Sequence, residues 1–255
     1  GSIEGVALAK RELIEALPAD GTAVLNADDP RVGAFRDVHP GRAITFGFSA
    51  GAGVRAEGAV YGRERTCFRV GGVAFETQLP GHHGVLNLLA ALAAAQALEI
   101  PAERLREAVR TFSPGKMRGE RLEHAGAIIW NDCYNSNPEA VRAMLDVLRD
   151  TPARRRIAVL GEMLELGRSA ESLHRDIGKY LADRGIDMLV GIRGAARHMV
   201  DEARRAGLSD SAAHFFEDPV TAGDFLKQQI EPGDALLFKG SRGVRVERAL
   251  ERVLA

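Results

Sequence analysis

The sequence Ile128-Ile129-Trp130-Asn131-Asp132-Cys133-Tyr134-Asn135-Ser136-Asn137-Pro138 sets the architecture expected for the second half of this chain. An apolar run ends in a polar cluster, and an amphipathic segment follows from Glu139. This order predicts a buried strand, a loop and a helix, with Asn137 as the N-cap and Pro138 in the first turn. Ligands of open α/β sheets bind beyond the carboxyl ends of strands, beside helix N–H groups. The polar loop therefore lies where a ligand would bind, although a well-capped crossover turn explains it equally well.

Strand and helix patterns alternate after this stretch. Short loops between alternating elements predict right-handed βαβ units and a parallel sheet. The predicted strands are 157–160, 188–190, 213–216 and 235–238, and the predicted helices are 140–149, 169–183, 194–206, 220–230 and 244–254.

The first half of the chain begins with apolar residues at helical spacing from Val6 to Leu17, which predict an amphipathic helix. A strand is predicted at 22–26, followed by a short helix that begins at Pro30. Asp28 and Asp29 could hold a metal, but capping of that helix is the commoner use. Lys10, in the opening helix, is on residue type alone expected to be solvated.

Four short β-type runs, at 43–46, 54–57, 66–70 and 73–79, predict a small antiparallel patch, with Gly71-Gly72 as a hairpin turn. An alanine-rich helix follows at 88–95, and another at 102–112. His83 and Asn87 lie one helical turn apart, so they share a face. They are either capping and core residues or a side-chain pair that contacts a nucleotide base.

A linker at 113–116 precedes a change in composition, so we place the domain boundary there and expect domains at 1–114 and 115–255. The segment 117–121 is polar and interrupted by glycine, which is typical of a hinge.

The composition excludes several function classes. The net charge of −1 and the 5% aromatic content argue against a nucleic-acid partner, and no apolar run is long enough to enter a membrane as a span. The two cysteines, Cys67 and Cys133, lie far apart and are typical of a reducing compartment. Cys133 with Asp132 and a distant histidine could form a nucleophilic triad, but a small buried cysteine is commoner, and we reject the triad.

Two further loops follow predicted strands: 161–167, with His174 on the next helix, and 239–243. In the second loop Lys239, Arg242 and Arg245 lie at the positive end of a helix, where cations are unfavourable by about 0.3 kcal/mol each unless an anion compensates. This loop is therefore expected to bind a carboxylate or phosphate, with screened surface charge as the alternative. The phosphate-loop motif G-x-x-x-x-G-K-[ST] and the dinucleotide motif G-x-G-x-x-G are both absent from the sequence.

Taken together, these segments resemble the Mur ligase family of peptidoglycan synthesis. Within the family, Tyr-Asn-Ser-Asn-Pro and Lys-Gly-Ser-Arg favour the member that adds D-alanyl-D-alanine. The resemblance implies the remainder of a central ATPase domain followed by a Rossmann-like C-terminal domain with a mainly parallel sheet. It also implies that Gly1-Ser2 is native rather than the remnant of a tag, and that an N-terminal domain and the phosphate-loop part are missing. The matching segments are 1–10, 25–30, 83–87, 118–120, 132–138, 159–167 and 239–242.

The resemblance also implies roles for individual residues. Lys10 matches a lysine that becomes a carbamate and helps to hold a magnesium ion. Asn87, with His83 beside it, matches an adenine contact, but Gly84 stands where the family usually has a second asparagine. Arg118 matches a hinge arginine near the nucleotide phosphates, and Asp132 and Tyr134 match residues beside the ribose and nucleotide. The residues expected on the side of the amino substrate are Asn135, Asn137, Glu162, His174, Lys239, Ser241 and Arg242.

The reaction that the resemblance implies is ATP- and Mg²⁺-dependent amide formation. The partners would be UDP-N-acetylmuramoyl tripeptide and D-alanyl-D-alanine, and the protein would be a cytoplasmic monomer. This polypeptide alone would be inactive, because it lacks the phosphate loop. Two alternatives stay open: a ligase similar to folylpolyglutamate synthase, and a non-catalytic Rossmann-like module that binds an anion.

Overall fold

A computed structural model describes residues 2–62 and 65–255. The chain divides into two compact units, Gly1–Ser113 and Pro114–Ala255. Gly1, which the sequence resemblance predicts to be native, lies outside the described residues. Each unit has its own core, as the following paragraphs describe.

The first unit contains four helices and six strands among its described residues. Short 3-10 helices at Ala34–Asp37 and Ala102–Leu105 complete it. In chain order its elements are α1 (Ile3–Glu15), β1 (Thr22–Asn26), α2 (Pro30–Gly33), β2 (Arg42–Gly47), β3 (Val54–Arg55), β4 (Glu57–Tyr61), β5 (Thr66–Val70), β6 (Val73–Thr77), α3 (Gly81–Ala97) and α4 (Arg106–Thr111).

Local signals in the sequence explain several of these elements. Ser2 caps α1, because its hydroxyl accepts the Gly5 N–H. Asp29 caps α2 through the N–H groups of Arg31 and Val32, so the capping interpretation of this aspartate is confirmed. The β5–β6 hairpin has a two-residue turn, Gly71-Gly72, in which both residues have positive φ. Glycine adopts that conformation at little cost, and the predicted hairpin is confirmed.

The strands of this unit form two sheets rather than one antiparallel patch. β1, β2 and β3 are parallel neighbours, whereas β4, β5 and β6 are antiparallel. The runs 43–46 and 54–57 were therefore placed in the wrong sheet, because short β-type runs contain no information about strand direction. β4 was missed, since four of its five residues are exposed and it has no apolar alternation. One face of α3, including Val85, Leu89 and Ala93, forms the centre of this unit's largest core cluster.

The second unit alternates strands and helices after an initial hairpin. Short 3-10 helices lie at Gly167–Ser169 and Arg242–Val244. Its elements are β7 (Glu120–His124), β8 (Ala127–Asp132), α5 (Pro138–Asp150), β9 (Arg156–Gly161), α6 (Ala170–Ala182), β10 (Met188–Ile192), α7 (Ala196–Arg205), β11 (Ala213–Phe216), α8 (Pro219–Gln229), β12 (Ala235–Lys239) and α9 (Glu247–Leu254).

These strands form one six-stranded sheet in the order β11-β10-β9-β12-β8-β7. All neighbours are parallel except β7 and β8, so the predicted mainly parallel sheet is confirmed. Apolar residues of α5, α6 and α7 pack in one core cluster, and those of α8 and α9 pack in another. Because strand side chains alternate between the faces, the two clusters cover opposite faces of the sheet.

β7 includes the last two residues of the predicted hinge. The hinge was expected at 117–121, but Glu120 already begins a strand that pairs with β8, with Glu120 opposite Asn131. The polar sequence Glu120-Arg121-Leu122-Glu123-His124 is tolerated because this is an edge strand with no fully buried position.

No helix in the described part of the chain is both long enough and apolar enough to cross a membrane.

Candidate functional site

The carboxyl edge of the six-stranded sheet contains the polar loops predicted from the sequence. β12 lies between β8 and β9, and its chain continues to α9 on one face. β8 and β9 continue to α5 and α6 on the other face. Neighbouring strands whose chains leave to opposite faces create a crevice at the carboxyl edge, where ligands of α/β proteins bind. Two such crevices flank the end of β12.

The first crevice contains an ion pair between β12 and β8. Lys239 and Asp132 are register partners at the ends of these strands. The Lys239 Nζ donates to Asp132 Oδ2 at 2.5 Å and to the Asn135 carbonyl at 2.9 Å. The lysine side chain is 2% exposed and the aspartate 18%. Asp132 Oδ1 receives no hydrogen bond from the described residues, so this oxygen is open to a further donor.

The second crevice is closed by hydrogen bonds between the loops that follow β9 and β12. The Leu164 N–H donates to Ser241 Oγ at 2.9 Å, and the Ser241 N–H donates to the Glu162 carbonyl at 3.3 Å. The Glu162 carboxylate accepts the Ala195 N–H at 3.0 Å, at the start of α7. Ser241 is 5% exposed. In this structure both predicted substrate-side residues hold loops together.

His174 fixes the loop after β9 onto α6. Its Nε2 accepts the Met163 N–H at 2.9 Å, and its Nδ1 lies 2.6 Å from the Ala170 carbonyl. A carbonyl can only accept, so the proton is on Nδ1 and the ring is neutral. Burial lowers the pKa of His174 below its ordinary value of 6.5. The ring is fully buried and both nitrogens are bonded to backbone, so in this structure it positions the loop after β9.

Arg118 and Tyr134 form a stacked pair. The Arg118 guanidinium carbon lies 3.9 Å from the centroid of the Tyr134 ring, and the Tyr134 N–H donates to the Met117 carbonyl at 3.1 Å. Tyr134 is 44% exposed. The structure thus brings together Arg118, Tyr134 and, two residues away, Asp132.

Arg242 is also paired within the chain. Its Nη1 donates to Glu247 Oε1 at 2.7 Å and lies 3.7 Å from the Met117 sulfur. Together with the Lys239–Asp132 pair, this contact gives two of the three cations of the predicted anion site a carboxylate partner within the chain. Anion binding by this loop stays a prediction. The helical piece at Arg242–Val244 is moreover a single 3-10 turn, and α9 begins only at Glu247.

The other two polar residues of the β8 loop shape the start of α5. Asn137 is the N-cap, with its side-chain oxygen accepting the Ala140 N–H at 2.8 Å. Asn135 Oδ1 accepts the Ser136 N–H at 2.8 Å. Both asparagines are exposed and retain free amide N–H groups toward solvent.

Cys133 faces the core. It is fully buried, and its thiol donates to the Phe238 carbonyl at 3.4 Å. Burial raises the pKa of the Cys133 thiol, which opposes thiolate formation. The structure supports the rejection of a nucleophilic triad.

Three buried polar atoms in or beside the loops that follow β8 and β12 could not be predicted from the sequence. Within the part of the chain that the structure describes, Asn131 Oδ1, Ser136 Oγ and Glu247 Oε2 have no hydrogen-bond partner. Such atoms cost free energy, so they favour a water or a ligand nearby. Only the burial of each atom reveals them, since residue type alone does not.

Lys10 lies on the exposed surface of α1 in the first unit. The described residues include no group of three or more histidine, cysteine, aspartate or glutamate side chains that could hold a metal. Mg²⁺ in nucleotide sites is usually held by substrate phosphates, waters and one or two carboxylates, so a role for Lys10 as a carbamate stays a prediction.

Asn87 is exposed on α3, one turn after the half-buried His83. The structure explains why Gly84 stands between them. A Cβ at this position would lie 2.9 Å from Leu79 Cβ and 3.2 Å from the Leu79 carbonyl carbon. Leu79 is buried, so an asparagine here would require movement of the backbone.

A polar cluster near the start of α3 was also not predicted. The rings of Phe48 and His82 stack with centroids 3.8 Å apart, and the Tyr61 hydroxyl lies 3.4 Å from His82 Nδ1. Asp28 accepts the N–H groups of Phe48 and Ser49 at 2.8 and 2.9 Å. Burial raises the pKa of Asp28, but these two bonds, the Ser49 hydroxyl and the charge of His82 together outweigh it, and the net pKa lies below the ordinary value.

Comparisons with known proteins match both units. Residues 1–95 match the family model "Mur ligase middle domain", and residues 117–242 match "Mur ligase, glutamate ligase domain".

Two relatives that share one name match this chain along its whole length. The UDP-N-acetylmuramoyl-tripeptide–D-alanyl-D-alanine ligase of Synechocystis sp. is 32% identical and that of Bacillus subtilis 28%, each over 100% of this chain. The chain spans 54% and 56% of these two proteins, or about half of their length.

Solved structures of similar fold also cover the whole chain. A crystal structure of MurF from Acinetobacter baumannii has a TM-score of 0.88 at 25% identity, covering 100% of this chain and 56% of that one. Folylpolyglutamate synthase of Mycobacterium tuberculosis has a TM-score of 0.76 at 16% identity, covering 100% of this chain and 60% of that one. This second likeness shows a shared fold only.

Proposed function

This chain belongs to the Mur ligase family, and from that premise we propose that it forms part of an ATP-dependent, ADP-forming amide ligase. The amino substrate would be D-alanyl-D-alanine and the acyl substrate UDP-N-acetylmuramoyl tripeptide. The observation that supports this most is the 32% identity, along the entire chain, to a ligase with that name. The assignment is a proposal because the chain spans 54% of that relative.

The proposed reaction has two steps. The tripeptide carboxylate attacks the γ-phosphorus of ATP, which releases ADP and forms an acyl phosphate. The free amine of D-alanyl-D-alanine then attacks the acyl carbon, and the tetrahedral intermediate expels phosphate and loses a proton to give the amide. Both steps separate or move charge without a covalent enzyme intermediate, so positioning and electrostatic stabilisation supply the catalysis.

The carboxyl edge of the six-stranded sheet offers groups suited to the nucleotide. Asp132 Oδ1 is open and can accept a hydrogen bond from a ribose hydroxyl. The Arg118 guanidinium, held on the Tyr134 ring at 3.9 Å, offers N–H donors to phosphate oxygens. In the first unit, the exposed Asn87 side chain has the donor and acceptor that an adenine edge requires.

The amino substrate would lie beside the β8 and β12 loops. The exposed amide of Asn135 and the guanidinium of Arg242, which is 56% exposed, are available to the carboxylate of D-alanyl-D-alanine. Asn137 borders the same surface. Mg²⁺, when bound, would neutralise the phosphates, with Lys10 as a carbamate as the one protein ligand we propose from this chain.

The setting follows from the substrates. ATP and a UDP-linked precursor are intracellular metabolites, so we place the enzyme in the cytoplasm, and we propose that it acts as a monomer. We further propose that these 255 residues alone have no ligase activity, because no phosphate-loop motif is present in the sequence.

A chimera tests the proposal. In this chimera, the segment of the Synechocystis ligase that matches this chain is replaced by this chain, and the rest of that ligase is kept. We expect ADP release that requires both UDP-N-acetylmuramoyl tripeptide and D-alanyl-D-alanine. The 255 residues alone should release none, and the intact relative is the positive control.

The same chimera distinguishes the folate alternative. ADP release with a folate and glutamate, but not with the muramoyl tripeptide, would overturn the proposed substrates. Release of ADP by the 255 residues alone would overturn the proposed inactivity of this chain.

A further inference from the structure

Lys239 has an unusual environment for a lysine in a proposed ligand site. Its side chain is 2% exposed, and its ammonium group lies between the end of β12 and the loop that follows β8. Among the described residues, this group donates two hydrogen bonds: one of 2.5 Å to Asp132 Oδ2 and one of 2.9 Å to the Asn135 carbonyl. Burying an ammonium group is costly unless it is paired and hydrogen-bonded, so these two contacts stabilise Lys239 in its buried position.

The two bonds fix both ends of a short turn. Asp132 and Asn135 are three residues apart, and Tyr134 lies between them. The Tyr134 N–H is bonded to the Met117 carbonyl at 3.1 Å, and its ring supports the Arg118 guanidinium at 3.9 Å. A change in the turn would therefore move the Tyr134 ring and remove the support beneath Arg118.

We propose that Lys239 is a positioning residue of the ligase. Its ammonium aims the open oxygen of Asp132 and, through the turn, holds the Tyr134 ring under the Arg118 guanidinium. Lys239 itself contacts neither nucleotide nor amino substrate. The proposal rests on the proposed function in one respect: it supposes that Asp132 and Arg118 face the nucleotide.

The opposite edge of the same sheet supplies a matched control. There Arg155 donates to both oxygens of Asp234, which is 2% exposed, at 3.0 and 2.7 Å. This pair also joins the chain beside β9 to the chain beside β12, but none of the proposed ligand groups contacts it. Arg155→Met therefore breaks a buried cross-strand ion pair without touching the turn at 132–135.

The first test needs no substrate. NMR spectra of the 255-residue chain would report the ring-current shift that the Tyr134 ring causes in the Arg118 side-chain protons. We expect this shift to fall to less than half in Lys239→Met and to stay unchanged in Arg155→Met. An unchanged shift in a folded Lys239→Met would overturn the proposal. If Lys239→Met does not fold, Lys239→Gln, which keeps a shorter donor, decides by the same criterion.

The second test uses the chimeric ligase. We expect Lys239→Met to raise the KM for ATP by about tenfold or more while changing kcat less, because the loss is in nucleotide placement. Arg155→Met should leave the KM unchanged. Equal losses of kcat in both variants, with KM constant, would indicate a general loss of stability and overturn the positioning role.

The two tests separate the inference from the function on which it rests. A chimera that releases no ADP contradicts the proposed function, but the ring-current measurement still decides whether Lys239 holds the turn. An active chimera with an unchanged ring-current shift keeps the function and rejects the inference.

Discussion

The two edges of the six-stranded sheet use similar ion pairs in different ways. At the amino edge, Asp234 accepts three hydrogen bonds, two from Arg155 and one from the Glu231 N–H at 2.9 Å. At the carboxyl edge, Asp132 accepts one, from Lys239, and the described residues leave its Oδ1 open. A fully bonded carboxylate can only support the fold. A partly bonded one, held rigidly by a buried cation, supports the fold and can still bind a ligand.

The backbone arrangement explains the difference. At the carboxyl edge the chain leaves β12 and its neighbours toward opposite faces, so the loops diverge and open crevices. At the amino edge Arg155 also donates to the Gln229 carbonyl at 2.7 Å, which ties the end of α8 to the sheet. The polar groups of the amino edge are thus bonded to one another, whereas the carboxyl edge retains polar groups that are available to a ligand.

The largest effect on stability is expected from Arg155→Met. The substitution leaves the Asp234 carboxylate buried without its cation, and breaking such a pair costs about 3 kcal/mol. Urea unfolding, followed by the fluorescence of Trp130, the single tryptophan and a core residue of this unit, measures the loss. The neighbouring variant Arg154→Met is the control. Its pair with Glu231 is 3.6 Å long and exposed on both sides, so we expect a change near zero.

A smaller loss is expected from Lys239→Met. Asp132 is 18% exposed, so water can reach part of the unpaired carboxylate, and we expect a cost of roughly 2 kcal/mol by the same unfolding assay. Adding Asp132→Asn should recover part of this loss, because it removes the unpaired charge. A double variant less stable than Lys239→Met alone would show that the ion pair is not the source of the effect.

The pH dependence of stability tests the role of His174. The folded state has a pKa below the ordinary 6.5, so the unfolded state binds the proton more readily. The stabilisation from neutral His174 is therefore present above about pH 6.5 and is lost as the pH falls below it. We expect the urea midpoint of the unsubstituted protein to decrease between pH 7.5 and pH 5.5. The midpoint of the His174→Gln variant should decrease less over the same range. Equal slopes for both proteins would refute the structural role of the neutral ring.

The smallest expected effect is the coupling between Arg118 and Tyr134. A guanidinium over an exposed aromatic ring contributes roughly 0.5 to 1 kcal/mol. A double-mutant cycle with Arg118→Ala and Tyr134→Leu measures this coupling in unfolding free energy. Additive losses would mean that the stack is not formed in solution.

Much of the second unit could be predicted from the sequence, because its signals are local. Asn137 and Pro138 mark the start of α5, and the apolar runs give β8, β9 and β12 to within one or two residues. β7 could not be found in this way, since an edge strand of polar residues has no apolar period.

The location of the site loops could be predicted from the sequence, whereas their internal hydrogen bonds could not. The loops at 132–138 and 239–242 were placed correctly at one sheet edge, because strand ends can be predicted. The compensation of Lys239 could not be predicted, since its partner Asp132 lies 107 residues away in the chain. The burial of His174 and Ser241 likewise depends on packing between elements, about which residue types contain no information.

Hydrogen exchange of the chimeric ligase tests the central comparison most directly. The exchange rates would be measured with and without ATP analogue, UDP-N-acetylmuramoyl tripeptide and D-alanyl-D-alanine together. We expect slower exchange at 117–120, 133–137 and 239–243 on the carboxyl edge, and no change at 154–156 or 231–235 on the amino edge. Protection at the amino edge, with the carboxyl edge unchanged, would contradict the account.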